Sequence, residues 1–187
     1  QPIVAMPGAG TQVPIWLLGS SLYSAQLAAR LGLPFAFASH FAPRMLLQAI
    51  QIYRETFRPS AQLAAPYVAI GVPLVAAPTD DEAAYLASST HQRVLGILTG
   101  RRGQLPPPVE NFLPQLDHGA QAAIADFLAA AVIGGPDTVR AGLQRLAELT
   151  QANELVLVSD VYESALRMRG LDIAAAAARS LNAAVAQ

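Results

Sequence analysis

The chain has 187 residues, 53% of them hydrophobic and 13% charged, with a formal net charge of −1. That is apolar material enough for one compact domain with a large core, and too little positive charge for a dedicated nucleic-acid binder. Cysteine is absent and the three histidines, His40, His91 and His118, lie far apart, which excludes disulfides and cysteine nucleophiles and leaves no metal-ligand spacing.

No apolar run approaches the length of a membrane span and no secretory pattern is visible at the start, so a cytoplasmic protein is expected. The chain opens on Gln1 and a Gly/Pro-rich lead-in, Pro7-Gly8-Ala9-Gly10. This reads as a linker, and a segment of a longer protein is expected.

The first strand candidate, residues 13–18, is an apolar run that ends in Gly19-Ser20-Ser21. A helix follows over 22–31, with apolar positions at Leu22, Ala25, Ala28, Ala29 and Leu31. The second strand, 34–38, leads into a helix over 43–57, with Pro43 suited to a first helical turn. The third strand, 67–76, leads into a helix over 79–98, with Thr79 or Asp80 as N-cap and Asp81 and Glu82 favouring the helix dipole. Residues 99–135 break the rhythm with Gly100-Arg101-Arg102-Gly103 and Leu105-Pro106-Pro107-Pro108, followed by a helix near 119–132. A further helix is predicted over 136–149, then the fourth strand over 154–159 and a last helix over 161–179. Strand-helix alternation in four units argues for an α/β fold with parallel strands joined by crossover helices. The chain reads as one domain segment, 1–187, and the 99–135 insertion as a lid, an interface or a plain surface excursion. Its Gly/Arg loop is expected to be more mobile than its flanks.

Three places can carry chemistry. The turn Gly19-Ser20-Ser21-Leu22-Tyr23-Ser24 joins a buried strand to a helix start, which offers free backbone N–H groups to an anion such as a cofactor phosphate. A simple serine N-cap produces the same pattern. His40 follows the second strand in Ser39-His40-Phe41, at the edge where ligands bind in open sheets and barrels; it could donate to an anion, shuttle a proton or merely hydrogen-bond at a loop mouth. Arg54 and Arg58 share a helix face, where structural ion pairing is expected, and Arg101 and Arg102 sit in a Gly-flanked loop where they could meet a phosphate or water. No Ser-His-Asp constellation, Walker motif or dinucleotide fingerprint is present.

The run from Val13 to Ser21, then Ala25-Gln26-Leu27-Ala28-Ala29, then Gly32-Leu33-Pro34-Phe35-Ala36-Phe37-Ala38-Ser39-His40-Phe41, resembles the luciferase-like flavin-dependent monooxygenase family. Tyr53-Arg54, Phe57-Arg58-Pro59-Ser60, Pro66-Tyr67-Val68, Leu105-Pro106-Pro107-Pro108, Gly134-Gly135-Pro136-Asp137-Thr138-Val139 and Glu154-Leu155-Val156 agree in order. The resemblance implies the C-terminal half of a (β/α)8 TIM barrel, with the insertion before the last strand. It implies reduced FMN and oxygen acting on an organic substrate, or F420 and hydride transfer in some branches; a non-catalytic flavin-binding fragment is the alternative. Gly19, Ser20, Ser21, Leu22, Tyr23 and Ser24 match the element that holds the flavin phosphate, and His40 lies at the mouth beside the flavin. The family's phosphate-binding arginines fall largely in the other half. The implied partners are the N-terminal half of the barrel, a second copy in a homodimer, and a flavin reductase; neither nucleic acid nor membrane is expected.

Overall fold

Nine consecutive buried residues, Val68–Ala76, form the strand around which the rest is built. In the computed structural model, which describes residues 3–4 and 6–185 with side chains as far as Leu181, the order is as follows. Strand β1 (Leu17–Gly19) is followed by α1 (Leu22–Leu31), β2 (Phe35–Phe37), a 3-10 turn (Pro43–Met45) and α2 (Leu46–Thr56). Then come β3 (Val68–Ala76), α3 (Asp80–Leu98), α4 (His118–Phe127), β4 (Val132–Gly134), α5 (Pro136–Thr150), β5 (Glu154–Val158) and α6 (Ser164–Val185).

Every ladder is parallel: β1 on β2, β2 on β3, and both β4 and β5 on β3. Pro73 brings no N–H to a ladder. There β3 changes partner: it pairs β5 through Pro73 and β4 from Leu74 onward. Among the described residues β1 pairs only with β2 and β5 only with β3, so each leaves one edge open.

The two sheet faces differ. Val68, Ile70, Val72, Leu74 and Ala76 point into the main core with Ala25 and Ala28 of α1, Ala49 and Tyr53 of α2, Leu143 of α5 and Ala174 of α6. On the opposite face the register sets Leu18, Ala36 and Ala69 in one row and Gly71 beside Val156 in another. Leu18 is 71% exposed and Val156 51% exposed, although both are strand residues of apolar type.

Two expectations change. The first strand shrinks from 13–18 to Leu17–Gly19: residues 13–16 lie outside the ladder, and Val13 and Ile15 are exposed. The helix predicted near 119–132 stops at Phe127, and Val132–Gly134 joins the sheet as a fifth strand. Helical periodicity carries no signal for so short a strand; the pairing with Leu74, Val75 and Ala76 decides it. The Gly/Arg loop touches α3 near both ends, which leaves the expectation about its mobility open: the Arg101 carbonyl lies where a Cβ on Gly96 would come within 2.7 Å, and Gln92 Nε2 donates to the Pro107 carbonyl at 2.9 Å.

Candidate functional site

Because the strands are parallel, their C-terminal ends share one edge of the sheet, and in such sheets that edge is where ligands bind. Residues Gly19 to Ser21 leave β1 there, and Ser39-His40 leave β2 next to them. The Gly19 carbonyl accepts from Ala38 N at 2.9 Å, which holds the two exits side by side.

Ser21 is the N-cap of α1, as the sequence predicts. Its Oγ accepts from Ser24 N at 3.2 Å, while Ser24 Oγ accepts from Ser21 N at 3.3 Å. This capping box uses two of the four N–H groups that a helix leaves unpaired at its start, and those of Leu22 and Tyr23 stay available. Gly19 is required because a Cβ there would sit 2.2 Å from Ser24 Oγ. Ser20 is half-buried, and Tyr23 is 70% exposed. The first turn of α1 carries no acidic residue.

Three other helix starts are filled by carboxylates, while those of α2 and α6, like that of α1, carry no acidic residue in the first turn. Helix α3 begins with Asp80, Asp81 and Glu82, and α4 is capped by Asp117. At α5 the N-cap Gly135 has no side chain, and Asp80 Oδ1 accepts from Gly135 N at 2.6 Å. That bond, with a second from Thr138, holds the Asp80 carboxyl below the usual carboxylate range. An anionic ligand therefore meets a negative group at α3, α4 and α5, and two open donors at α1.

His40 lies against the sheet. A Cβ on Gly71 would come within 2.6 Å of His40 Nδ1, so glycine makes room for the ring. Phe41 packs on it with ring centroids 4.2 Å apart. Ser39 Oγ, fully buried, donates to the Gly71 carbonyl and fixes the strand end. His40 Nδ1 is buried without a hydrogen-bond partner among the described residues. Burial lowers the His40 pKa, the Arg93 cation lowers it further, and Asp160 opposes both. Arg93, from α3, pairs with Asp160, which follows β5. The sequence offered a signal for Asp160, a polar residue just past a predicted strand end; Arg93 sits mid-helix and had none.

Arg54 and Arg58 form no ion pair among the described residues. Arg54 instead donates to the Gln151 carbonyl at 2.6 Å. Tyr53 OH donates to the Leu33 carbonyl at 2.8 Å and accepts from Tyr67 N at 3.1 Å, and Ser60 Oγ donates to the Gly32 carbonyl at 2.8 Å. The Tyr53-Arg54 and Phe57-to-Ser60 segments thus brace loops at the opposite edge from the site. No group of three metal-ligating side chains occurs among the described residues.

The model of a family described as "luciferase-like monooxygenase" matches residues 1–152. The chain belongs to the luciferase-like monooxygenase family. It is 42% identical over 169 residues to an Escherichia coli K12 protein called "Luciferase-like monooxygenase", covering 90% of this chain and 50% of that protein. It is 44% identical over 171 residues to the uncharacterized protein YvbT of Bacillus subtilis, covering 91% and 51%. The chain thus spans about half the length of these luciferase-like relatives. Apo-MsnO8, a solved structure, superposes with a TM-score of 0.77 at 30% identity over 96% of this chain and 55% of that one. No helix among the described residues is long and apolar enough to cross a membrane.

Proposed function

We propose that this chain is the C-terminal half of a (β/α)8 barrel in a flavin-dependent monooxygenase that uses reduced FMN and oxygen on an organic substrate. The observation that carries the reading is the start of α1, where Leu22 and Tyr23 present two unpaired N–H groups beside the His40 exit and no carboxylate competes. This geometry fits a phosphate. The countercharge comes from the N-terminal half, which completes the barrel along the open edges of β1 and β5. Among solved proteins of the same fold, a riboflavin lyase was obtained with a modified FMN, TM-score 0.54. A tetrahydromethanopterin reductase of Methanopyrus kandleri depends on F420, TM-score 0.52. Such a phosphate site serves either cofactor.

In this reading Ser21 and Ser24 shape the turn, and Leu22 N and Tyr23 N bind the cofactor phosphate. Gly19 lets the backbone approach. Bound reduced flavin supplies the electrons that activate oxygen. His40 stays neutral near pH 7 because burial and Arg93 disfavour its cation, so it accepts a hydrogen bond or a proton at the mouth. A flavin reductase delivers the reduced cofactor, and a second copy forms a homodimer. Anaerobic titration of the full protein with reduced FMN and reduced F420, followed by admission of oxygen, tests the assignment. Tight FMN binding with substrate-dependent oxygen uptake is expected. Binding of F420 alone, or FMN binding without turnover on any substrate panel, overturns it in favour of an F420 oxidoreductase or a non-catalytic binder.

A further inference from the structure

We propose that the cleft between the C-terminal half of α3 and the strap of residues 100–106 binds an oxyanion, held by Arg93, Arg101 and Arg102. The cleft has a volume of about 300 Å3 and is lined by Gln92, Arg93 and Ile97 on one side and Arg101, Arg102 and Gln104 on the other. Among the described residues that line it there is no carboxylate. Neither Arg101 nor Arg102 forms an ion pair among the described residues, and both are exposed. Arg93 gives Nη2 to Asp160, but its Nε is buried without an acceptor. A buried unpaired donor is costly, more so on a charged group, so Asp160 leaves the Arg93 guanidinium only partly satisfied.

The strap is built to present these charges. Gly100, at φ +74°, reverses the chain after α3, a conformation that glycine adopts without strain. The Arg101 carbonyl then packs directly on Gly96, where any Cβ would come within 2.7 Å of it. Gln92 Nε2 holds the Pro107 carbonyl, and Ser88 Oγ accepts from Val109 N at 2.7 Å. The backbone is thus seated while two adjacent guanidinium forks project from it. Planar forks of this kind bind carboxylate, sulfonate and phosphate with paired hydrogen bonds. Arg93 pairs with Asp160, which follows β5 at the C-terminal edge of the sheet where His40 leaves β2, and this puts the anion on the His40 side of the molecule.

Anion binding here does not depend on the oxidoreductase reading. The further step does rest on it: the anion is the acid group of the organic substrate, so the substrate class is an organic acid. The test is phenylglyoxal labelling of the full protein, read arginine by arginine by peptide mass spectrometry, with sodium sulfate as the probe and sodium chloride matching ionic strength. Protection should follow 1 + [L]/Kd, about fivefold at [L]/Kd of about 4, for Arg101 and Arg102. Arg30 on α1 and Arg145 on α5 should label at unchanged rates. Equal labelling of Arg101 and Arg102 in sulfate and chloride overturns the site. Repeating the experiment with saturating FMN and with riboflavin separates the sources. Sulfate protection that persists in FMN-saturated protein supports the substrate assignment. Protection by FMN but not by riboflavin overturns it, since the anion is then the cofactor's phosphate. No arm requires turnover, so a failure of the monooxygenase reading leaves the sulfate result standing.

Discussion

His40 and His91 both hold their protons less readily than the ordinary imidazole value of 6.5, chiefly because burial disfavours the cation. The sign of the stability effect follows. Unfolded imidazoles bind protons that the folded ones refuse, so the contribution is present above pH 6.5 and is lost as pH falls through the lower folded values. Denaturant midpoints of the full protein should drop between pH 7.5 and 5.5; a flat profile contradicts this. The neighbours of His40 give a sharper check by NMR titration. Arg93→Gln removes a cation and should raise the His40 pKa, whereas Asp160→Asn removes an anion and should lower it. Shifts in the same direction would place the pair too far from His40 to matter. At the cofactor turn, Ser21→Asp sets a carboxylate where the phosphate is proposed to sit. The cost is on the order of 1–3 kcal/mol, roughly ten- to a hundredfold in FMN affinity. Ser21→Ala should cost less, since the Leu22 and Tyr23 donors remain. Unchanged FMN titration of the aspartate variant reduces Ser21 to a plain helix cap.

At the scale of elements, α2 acts as a clamp. Tyr53 is fully buried, and its hydroxyl bonds the chain before β2 and the chain before β3 at once. Tyr53→Phe keeps the ring but strands the Leu33 carbonyl and the Tyr67 N–H, at a cost of about 1–3 kcal/mol for each group left buried and unpaired. Urea unfolding at fixed pH reads this directly, and a loss well under 1 kcal/mol would mean that water reaches both groups. The strap after α3 makes a second element-scale case. Gly96→Ala forces a Cβ against the Arg101 carbonyl, a backbone atom that yields only if the strap lifts. Hydrogen exchange across residues 101–104 should then speed up while α3 itself stays protected. Unchanged exchange would show that the helix shifts instead.

At the scale of the whole molecule, the open edges and the uncovered apolar face call for a partner. Leu18 and Val156 lie on strands yet remain largely exposed, and Trp16 is 42% exposed beside the β1 edge. Unpaired edges invite association, so residues 1–187 expressed alone should self-associate in sedimentation velocity. Co-expression with the N-terminal half should convert the material to a defined complex. A well-behaved monomer of these residues alone would contradict the proposed half-barrel.

The strand-helix rhythm was legible because local rules set it. Apolar runs, the Ser21 and Thr79 caps and the Pro136 helix start sit where propensity and capping put them, and α1 was predicted to the residue. The capping turn of the candidate site was legible for the same reason: Gly19, Ser21 and Ser24 interact within one helical turn. What depended on distant chain was not legible. β4 exists only because β3 offers it a ladder, and Arg54 chose the Gln151 carbonyl, which lies far along the sequence, over any ion pair. Asp80 closes the α5 start from the first turn of α3. The meeting of His40, Arg93 and Asp160, and the arginine cleft behind it, comes from three elements brought together by the parallel sheet. Sequence fixes what each residue can do within a few positions; only the tertiary packing decides which charges and donors face one another.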